Sequence, residues 1–243
     1  MNARVASLLI VLSVAVACRD APRPPPVSRA WPALGTTMSA AVWGADTAQL
    51  GRALDAVRDV VDSLQGRRPA GFDSLGREVR GRTGVALAAA DLTEGDALDR
   101  AALTLRSRGV VDSALLDIGG QFLWIGPRDT RRPVGIADPD NSLVALATVE
   151  WRNGSISTAS NPGGRRTRSV TVLAPSGIAA EAWSIALLAV GCDRALAVAP
   201  VSVVCADSGR VRWTADLDGR VLLPTAAATG SGAARTAPPG RAP

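Results

Sequence analysis

Leu115-Leu116-Asp117-Ile118-Gly119-Gly120-Gln121-Phe122-Leu123-Trp124-Ile125-Gly126 joins two aliphatic runs through a pair of glycines. Short apolar runs bounded by turn residues read as buried strands. Paired glycines let the chain turn with positive φ, or let another group approach the backbone closely. That group is a ligand or a crossing strand, and these residues alone leave the choice open. The spacing predicts strands over Val110 to Ile118 and Phe122 to Ile125.

Outward from that stretch the pattern alternates. Before it, Thr36 to Trp43 is a predicted strand. Asp46 or Thr47 caps a helix that runs to about Leu64, with Leu50, Ala53, Leu54, Val57, Val60, Val61 and Leu64 three and four apart. Gln65 to Gly84 is polar and glycine-rich and is expected to be a loop, with room for one short strand. Thr93 opens a second helix, with Asp96 three residues on as in a capping box and Gly109 as its C-terminal cap. After the stretch come short strands around Val134-Gly135-Ile136 and over Ala145 to Trp151. Asn153-Gly154 is a hairpin signal, and Ser155 to Ser160 is the returning strand. Ser169 to Ala174 is a strand and Gly177 to Val190 a helix. Val201 to Cys205 and Val211 to Thr214 are the last strands. Many hairpins and few helices predict an α+β fold: mixed, mainly antiparallel sheets packed with a few helices in a single domain.

The chain opens on Met1-Asn2-Ala3-Arg4, an apolar run from Val5 to Ala17, and Cys18. One positive charge, a short apolar core and small residues before a cleavage point read as a signal peptide over residues 1–17. The run is too short to span a membrane as a helix. Cys18 directly after Ala15-Val16-Ala17 resembles a bacterial lipoprotein cleavage site, at which the cysteine carries the lipid; the alternative is a plain signal peptide cleaved at Ala17. Residues 18–30 are Pro-rich and read as a tether. The domain is expected over residues 31–223, and 224–243, rich in Ala, Gly, Thr and Pro, is expected to be disordered. The expected place is the bacterial cell envelope, outside the cytoplasm, held to the membrane by the lipid anchor.

The sequence contains no histidine, no tyrosine and no lysine, so every base is an arginine. This excludes histidine-dependent acid–base chemistry, histidine triads, His-ligated metals and Schiff bases. Catalysis must rest on carboxylates, hydroxyls, backbone groups, arginine or a bound metal. The net charge is +5 and aromatic residues are only 3%. With scattered arginines and no basic helix, nucleic acid is not an expected partner. Cys192 and Cys205 form either a disulfide, which the compartment permits, or two buried thiols.

Two acidic features carry candidate chemistry. Glu181 lies in Ile178-Ala179-Ala180-Glu181-Ala182-Trp183-Ser184-Ile185, on no polar stripe. A buried carboxylate must be paired, hydrogen-bonded or bound to a metal. It is either a ligand for a hard cation such as Mg²⁺ or a lone acid at the solvent edge of an apolar helix. Asp91, Glu94, Asp96 and Asp99 surround the start of the second helix. Acids there suit the helix dipole. The same helix start, with Gly95, could instead receive a phosphate, but only with a cation between.

The order of segments resembles the ApbE-type FAD:protein FMN transferases. Ala33-Leu34-Gly35-Thr36 is similar to the family's Met-Gly-Thr element. Asp91-Leu92-Thr93-Glu94-Gly95-Asp96-Ala97-Leu98-Asp99 is similar to its Lys/Glu-Gly-Tyr-Ala-x-Asp helix start. Leu116-Asp117-Ile118-Gly119-Gly120 resembles its Asn-Ile-Gly-Gly strand, and Val134-Gly135-Ile136-Ala137-Asp138-Pro139 the Gly-Ile-x-Asp-Pro that follows. Ser157-Thr158-Ala159-Ser160 is similar to the Thr-Ser-Gly element. Ser169-Val170-Thr171-Val172 and Ala180-Glu181-Ala182-Trp183-Ser184-Ile185 resemble the last strand and the metal-binding helix.

The resemblance implies Mg²⁺-dependent transfer of FMN from FAD to a threonine or serine of a partner redox protein, with AMP leaving. It implies that the metal meets the backbone carbonyl of Thr93 and the carboxylate of Glu181. It implies that FAD lies near Leu34, Asp96, Gly119 and Gly120, with Thr158 lining the site. The chain also departs from the pattern. Glu181 replaces an aspartate, Ile185 stands where the family has a ligand threonine, and Asp96 replaces a tyrosine. Asn161 to Arg166 lacks the family's histidine-containing segment, and Leu64 to Ala90 is shorter than the family's insert. The alternative is a non-catalytic lipoprotein on the same scaffold that binds flavin or a partner.

Overall fold

Among the described residues, eight strands form one antiparallel sheet and three form a second, smaller one. The computed structural model describes residues 25–127, 130–164, 167–207 and 209–224. The expected signal peptide, Cys18, most of the expected tether and nearly all of the expected tail lie outside the described residues.

The large sheet begins with β1 (Val27–Ala33) and β2 (Thr36–Trp43), paired through a tight turn at Leu34-Gly35. β1 corrects the expected boundary. Its first four residues fall inside the Pro-rich stretch assigned to the tether, and pairing with β2 satisfies a backbone that composition alone leaves unstructured. β3 (Ser113–Ile118) and β4 (Gln121–Ile125) follow as the central hairpin, then β7 (Gly154–Ser160), β8 (Thr167–Ala174), β9 (Ser202–Asp207) and β10 (Arg210–Trp213). The small sheet holds β5 (Arg132–Asp138), β6 (Asn141–Trp151) and β11 (Val221–Leu222).

Helices cover one face of the large sheet. α1 (Thr47–Asp62) is capped by Asp46, whose carboxylate accepts from the amides of Ala48 and Gln49 at 2.9 and 3.0 Å. Its Leu50, Ala53, Leu54, Val57 and Val61 are buried. Each such Leu or Val contributes about 1.5–3 kcal/mol by leaving water. α1 packs with α3 (Thr93–Arg108) over β1 to β4. α4 (Gly177–Val190) and α5 (Cys192–Val198) pack with α2 (Phe72–Thr83) over β8 and β9.

Side chains alternate across the sheet, as strand geometry requires. Val170, Val172, Val203 and Cys205 join the helix side, whereas Leu173 and Val204 join Trp124, Ile156 and Trp151 on the other. That second face is covered by the three-stranded sheet.

α2 corrects the reading of 65–84 as a loop. Its polar sequence buries only Val79 and Thr83, so the apolar signal is too thin to read locally. Glycine in the left-handed conformation stands at both of its ends, Gly71 at φ 77° and Gly84 at φ 80°. Asn153-Gly154 is likewise not a hairpin turn, because β6 and β7 belong to different sheets. The Asn153 amide instead clasps Gly126, donating to its carbonyl at 2.8 Å and accepting from its amide at 2.6 Å. Gly154 is required there because a Cβ would sit 2.5 Å from the carbonyl oxygen of Ala174. Cys192 and Cys205 are joined by a disulfide with Cα atoms 5.7 Å apart, which ties α5 to β9.

Candidate functional site

α3 and α4 cross with their backbones in contact at two glycines. A Cβ on Gly95 would lie 2.5 Å from the carbonyl carbon of Gly177. α4 is held there from two sides. The Asp99 carboxylate accepts from the amides of Gly177 and Ile178 at 2.6 and 3.1 Å. The Gln121 amide donates to the carbonyl of Gly177 at 2.8 Å and to Ser155 Oγ at 3.2 Å. Asp99 therefore caps α4 and is not part of α3's own first turn.

The crossing delivers Glu181 to the start of α3. Glu181 is 8% exposed, and its Oε2 accepts from the amide of Gly95 at 2.8 Å. The anion received at this helix start is thus a carboxylate of the chain itself, in the place where a phosphate was conceivable. Glu181 is not a lone acid at the solvent edge. Burial pushes its carboxyl up to about 8 against the pull of the Gly95 amide, and the nearby Glu94, Asp91 and Asp99 push it further in the same direction. No ion pair involves Glu181, Glu94, Asp99 or Asp117 among the described residues.

The twin glycines face the same place. Gly119 and Gly120 turn β3 into β4 with φ of 59° and 87°, values that glycine adopts freely. A group of the chain itself approaches this backbone. It is the Glu94 carboxylate, whose oxygens would lie 2.5 and 2.6 Å from a Cβ on Gly119. Burial raises the Glu94 carboxyl, as does the neighbouring Asp117. Asp117 is also raised by burial, and its carboxylate accepts from the amide of Gly120 at 3.2 Å.

Glu94, Gly119, Gly120, Gln121, Ser157, Thr158, Glu181, Ser184 and Ile185 line one cavity of about 140 Å³. Four of the expected site residues therefore meet: Glu181, Gly119, Gly120 and Thr158. Thr158 pairs its hydroxyl with Thr171 at 2.8 Å. Thr93, Leu34 and Asp96 are not in the cavity wall. Thr93 begins α3, and its hydroxyl donates to the carbonyl of Ala90 at 3.2 Å. Leu34 sits in the β1–β2 turn at φ 50° and packs against the core between the sheet and α1. Asp96 is buried, forms no capping box, accepts from the amide of Ala70 at 3.3 Å and lies 3.6 Å from Arg100. No group of three His, Cys, Asp or Glu side chains forms a metal cluster among the described residues.

The sequence model of the ApbE family matches residues 32–163. The chain belongs to the ApbE family. The match ends before α4, so Glu181 joins the site on geometry alone. Three solved ApbE structures share the fold. The flavin transferase ApbE from Vibrio cholerae superposes with a TM-score of 0.64 at 14% identity, covering 81% of this chain and 100% of that one. The ApbE protein from Thermotoga maritima gives 0.64 at 14%, covering 80% and 99%. The apo flavinyl transferase ApbE from Pseudomonas stutzeri gives 0.62 at 14%, covering 84% and 100%. None of the curated proteins matches the sequence.

Glu94 and Gln121 were legible only as parts of motifs. Glu94 stood as a variant of the helix-start element, and Gln121 as the residue after the glycines. A long polar side chain directly after a twin-glycine turn, flanked by Ile118 and Phe122, was the available signal.

Proposed function

We propose that this ApbE-family chain is an extracytoplasmic flavin transferase, lipid-anchored through Cys18. It would transfer FMN from FAD to a threonine or serine of a partner redox protein with the help of Mg²⁺. The observation that carries the reading is the single cavity shared by the twin-glycine turn, the Thr158 segment and the buried Glu181. The partner's hydroxyl oxygen bonds to the FMN-side phosphorus, the bridging P–O bond breaks, and AMP leaves with the bridging oxygen. The hydroxyl proton goes to solvent or to the departing phosphate.

The donors fit a hard cation: they are all oxygen, and Glu181 lies among other acids with no positive partner. Glu181 is the expected holder within the cavity, whereas Thr93, whose carbonyl the family resemblance also implies, starts α3 outside the cavity wall. A bound Mg²⁺ would neutralise pyrophosphate charge as it builds at the leaving group. The chain's own residues do the placing. Asp99 and Gln121 fix the start of α4, the Gly95 amide orients the Glu181 carboxylate, and Gly119 leaves room for Glu94.

Ile185 favours a second reading. It lines the cavity one helical turn after Glu181, where only hydrocarbon is offered. On that reading the chain binds flavin or a partner without transfer. The experiment is to mix the purified protein with FAD, Mg²⁺ and a target peptide, then to measure in-gel flavin fluorescence and AMP release. Fluorescent peptide with stoichiometric AMP supports transfer. Flavin binding with neither product supports the second reading.

A further inference from the structure

The wall of the Glu181 cavity offers acceptors and almost no donors. Gln121 is 4% exposed, and its Oε1 is buried without a hydrogen-bond partner. Its orientation follows from its bonds. Ser155 Oγ donates to the carbonyl of Phe122 at 2.8 Å, so it accepts from Gln121, and the carbonyl of Gly177 can only accept. Exchanging the amide's oxygen and nitrogen would set oxygen against oxygen at Gly177.

The nearby hydroxyl protons are committed as well. Ser184 donates to the carbonyl of Glu181 at 2.9 Å, and Ser157 pairs with Ser184 at 3.2 Å. Glu94, Glu181 and Gln121 all line this cavity, and no positively charged side chain is among its lining residues. Asp117 is separate: its carboxylate is bound to the Gly120 amide, and it opens onto a different groove with Leu115 and Phe122.

We propose that this cavity holds a divalent cation through a ligand set peculiar to this chain, in which Glu94 and Gln121 Oε1 join Glu181 and replace the oxygen that Ile185 lacks. The proposal deepens the Mg²⁺-dependent reading above and rests on it. Two carboxylates, one amide oxygen and retained waters suit Mg²⁺, which keeps part of its hydration shell. A volume of about 140 Å³ holds an ion with a few waters. The close approach of Glu94 over Gly119 then has a purpose, because it brings the second charge onto the ion.

The test is an electron paramagnetic resonance titration of the full chain with Mn²⁺, with and without AMP, followed by Mg²⁺ competition. The expected result is one site that Mg²⁺ displaces. Glu94→Gln and Gln121→Met should each weaken it about tenfold or more, since affinity follows ligand number and charge. Asp117→Asn should change it less than about threefold. Melting curves in EDTA verify that each variant is folded. If Gln121→Met does not fold, the Glu94→Gln result decides alone.

No Mn²⁺ site in either condition, or one indifferent to Glu94 and Gln121, overturns the proposal. The two ideas fail separately. AMP release with normal Mn²⁺ binding by Glu94→Gln sinks this ligand set and leaves the transferase standing. A Glu94- and Gln121-dependent site with no AMP release does the reverse.

Discussion

Two acidic groups in this protein lie under opposite electrostatic conditions. Asp138 and Asp140, at the end of the β5–β6 hairpin, both pair with Arg168, and Asp140 meets it at 2.6 Å. The Gly163 amide, followed by Arg168, holds the Asp140 carboxyl below its usual value. Glu181, at the α3–α4 crossing, has one backbone amide and a surround of Glu94, Asp91 and Asp99, and its carboxyl is driven up to about 8. The first group is complete as folded and ties a hairpin to its neighbour. The second is incomplete without a positive charge. Counter-charge supplied within the chain marks a structural cluster, and its absence marks a place built for something to arrive.

The largest effect should come from removing the uncompensated charge itself. Glu181→Gln is expected to lower FMN transfer at least about a hundredfold, measured by AMP release. The same variant should alter stability in the opposite sense when no cation is present. A carboxyl whose folded value is raised to about 8 from 4.5 favours folding most fully below 4.5, and that contribution is lost as pH rises through about 8. Melting temperatures in EDTA should therefore fall between pH 5 and 8 for the wild type, and less steeply for Glu181→Gln. A parallel slope in the two proteins would erase the contrast between the clusters.

The disulfide sharpens the comparison by acting at the far end of α4. Cys192 opens α5 just after Gly191 ends α4, and the last residue of α4, Val190, lies 9 positions after Glu181, about 14 Å along the helix. Replacing both Cys192 and Cys205 by alanine should cost about 3 kcal/mol in denaturant titration, as expected for a loop of this size. Mn²⁺ affinity should be unchanged. Gly95→Ala should cost about 2 kcal/mol, because its methyl group meets the Gly177 backbone. Here Mn²⁺ affinity should drop with stability, since the crossing that positions Glu181 is forced apart. The smallest change belongs to the compensated cluster. Arg168→Gln should lower the melting temperature least of these variants, and the difference should shrink in high salt.

What was legible in the sequence had local causes. α1 shows at its expected place because Asp46 caps it and its apolar residues repeat every three to four positions, and α4 because Ser176 caps a run that is apolar almost throughout. α2 was hidden because it buries only two residues and begins and ends at glycines. The Asn153-Gly154 pair misled because its turn chemistry is real, whereas its partners are Gly126 and Ala174 in other strands. In the site, Glu181 and the glycine pair stood out as anomalies of pattern. Leu34 and Asp96, suggested by motif position, fold into the core edge and a loop contact and stay out of the cavity wall.

By itself, the sequence determined the available chemistry: without histidine, tyrosine or lysine, only carboxylates, hydroxyls, amides and arginine remain. It also determined α1, α3, α4 and the central strands, since periodicity and capping are properties of neighbouring residues. Only the tertiary structure decided which acids share a space. Gly95 and Glu181 are 86 positions apart, and no local pattern reports that their meeting leaves three acids unanswered around one buried carboxylate. Charge environment is a sum over everything nearby in space, and that sum exists only once the chain is folded.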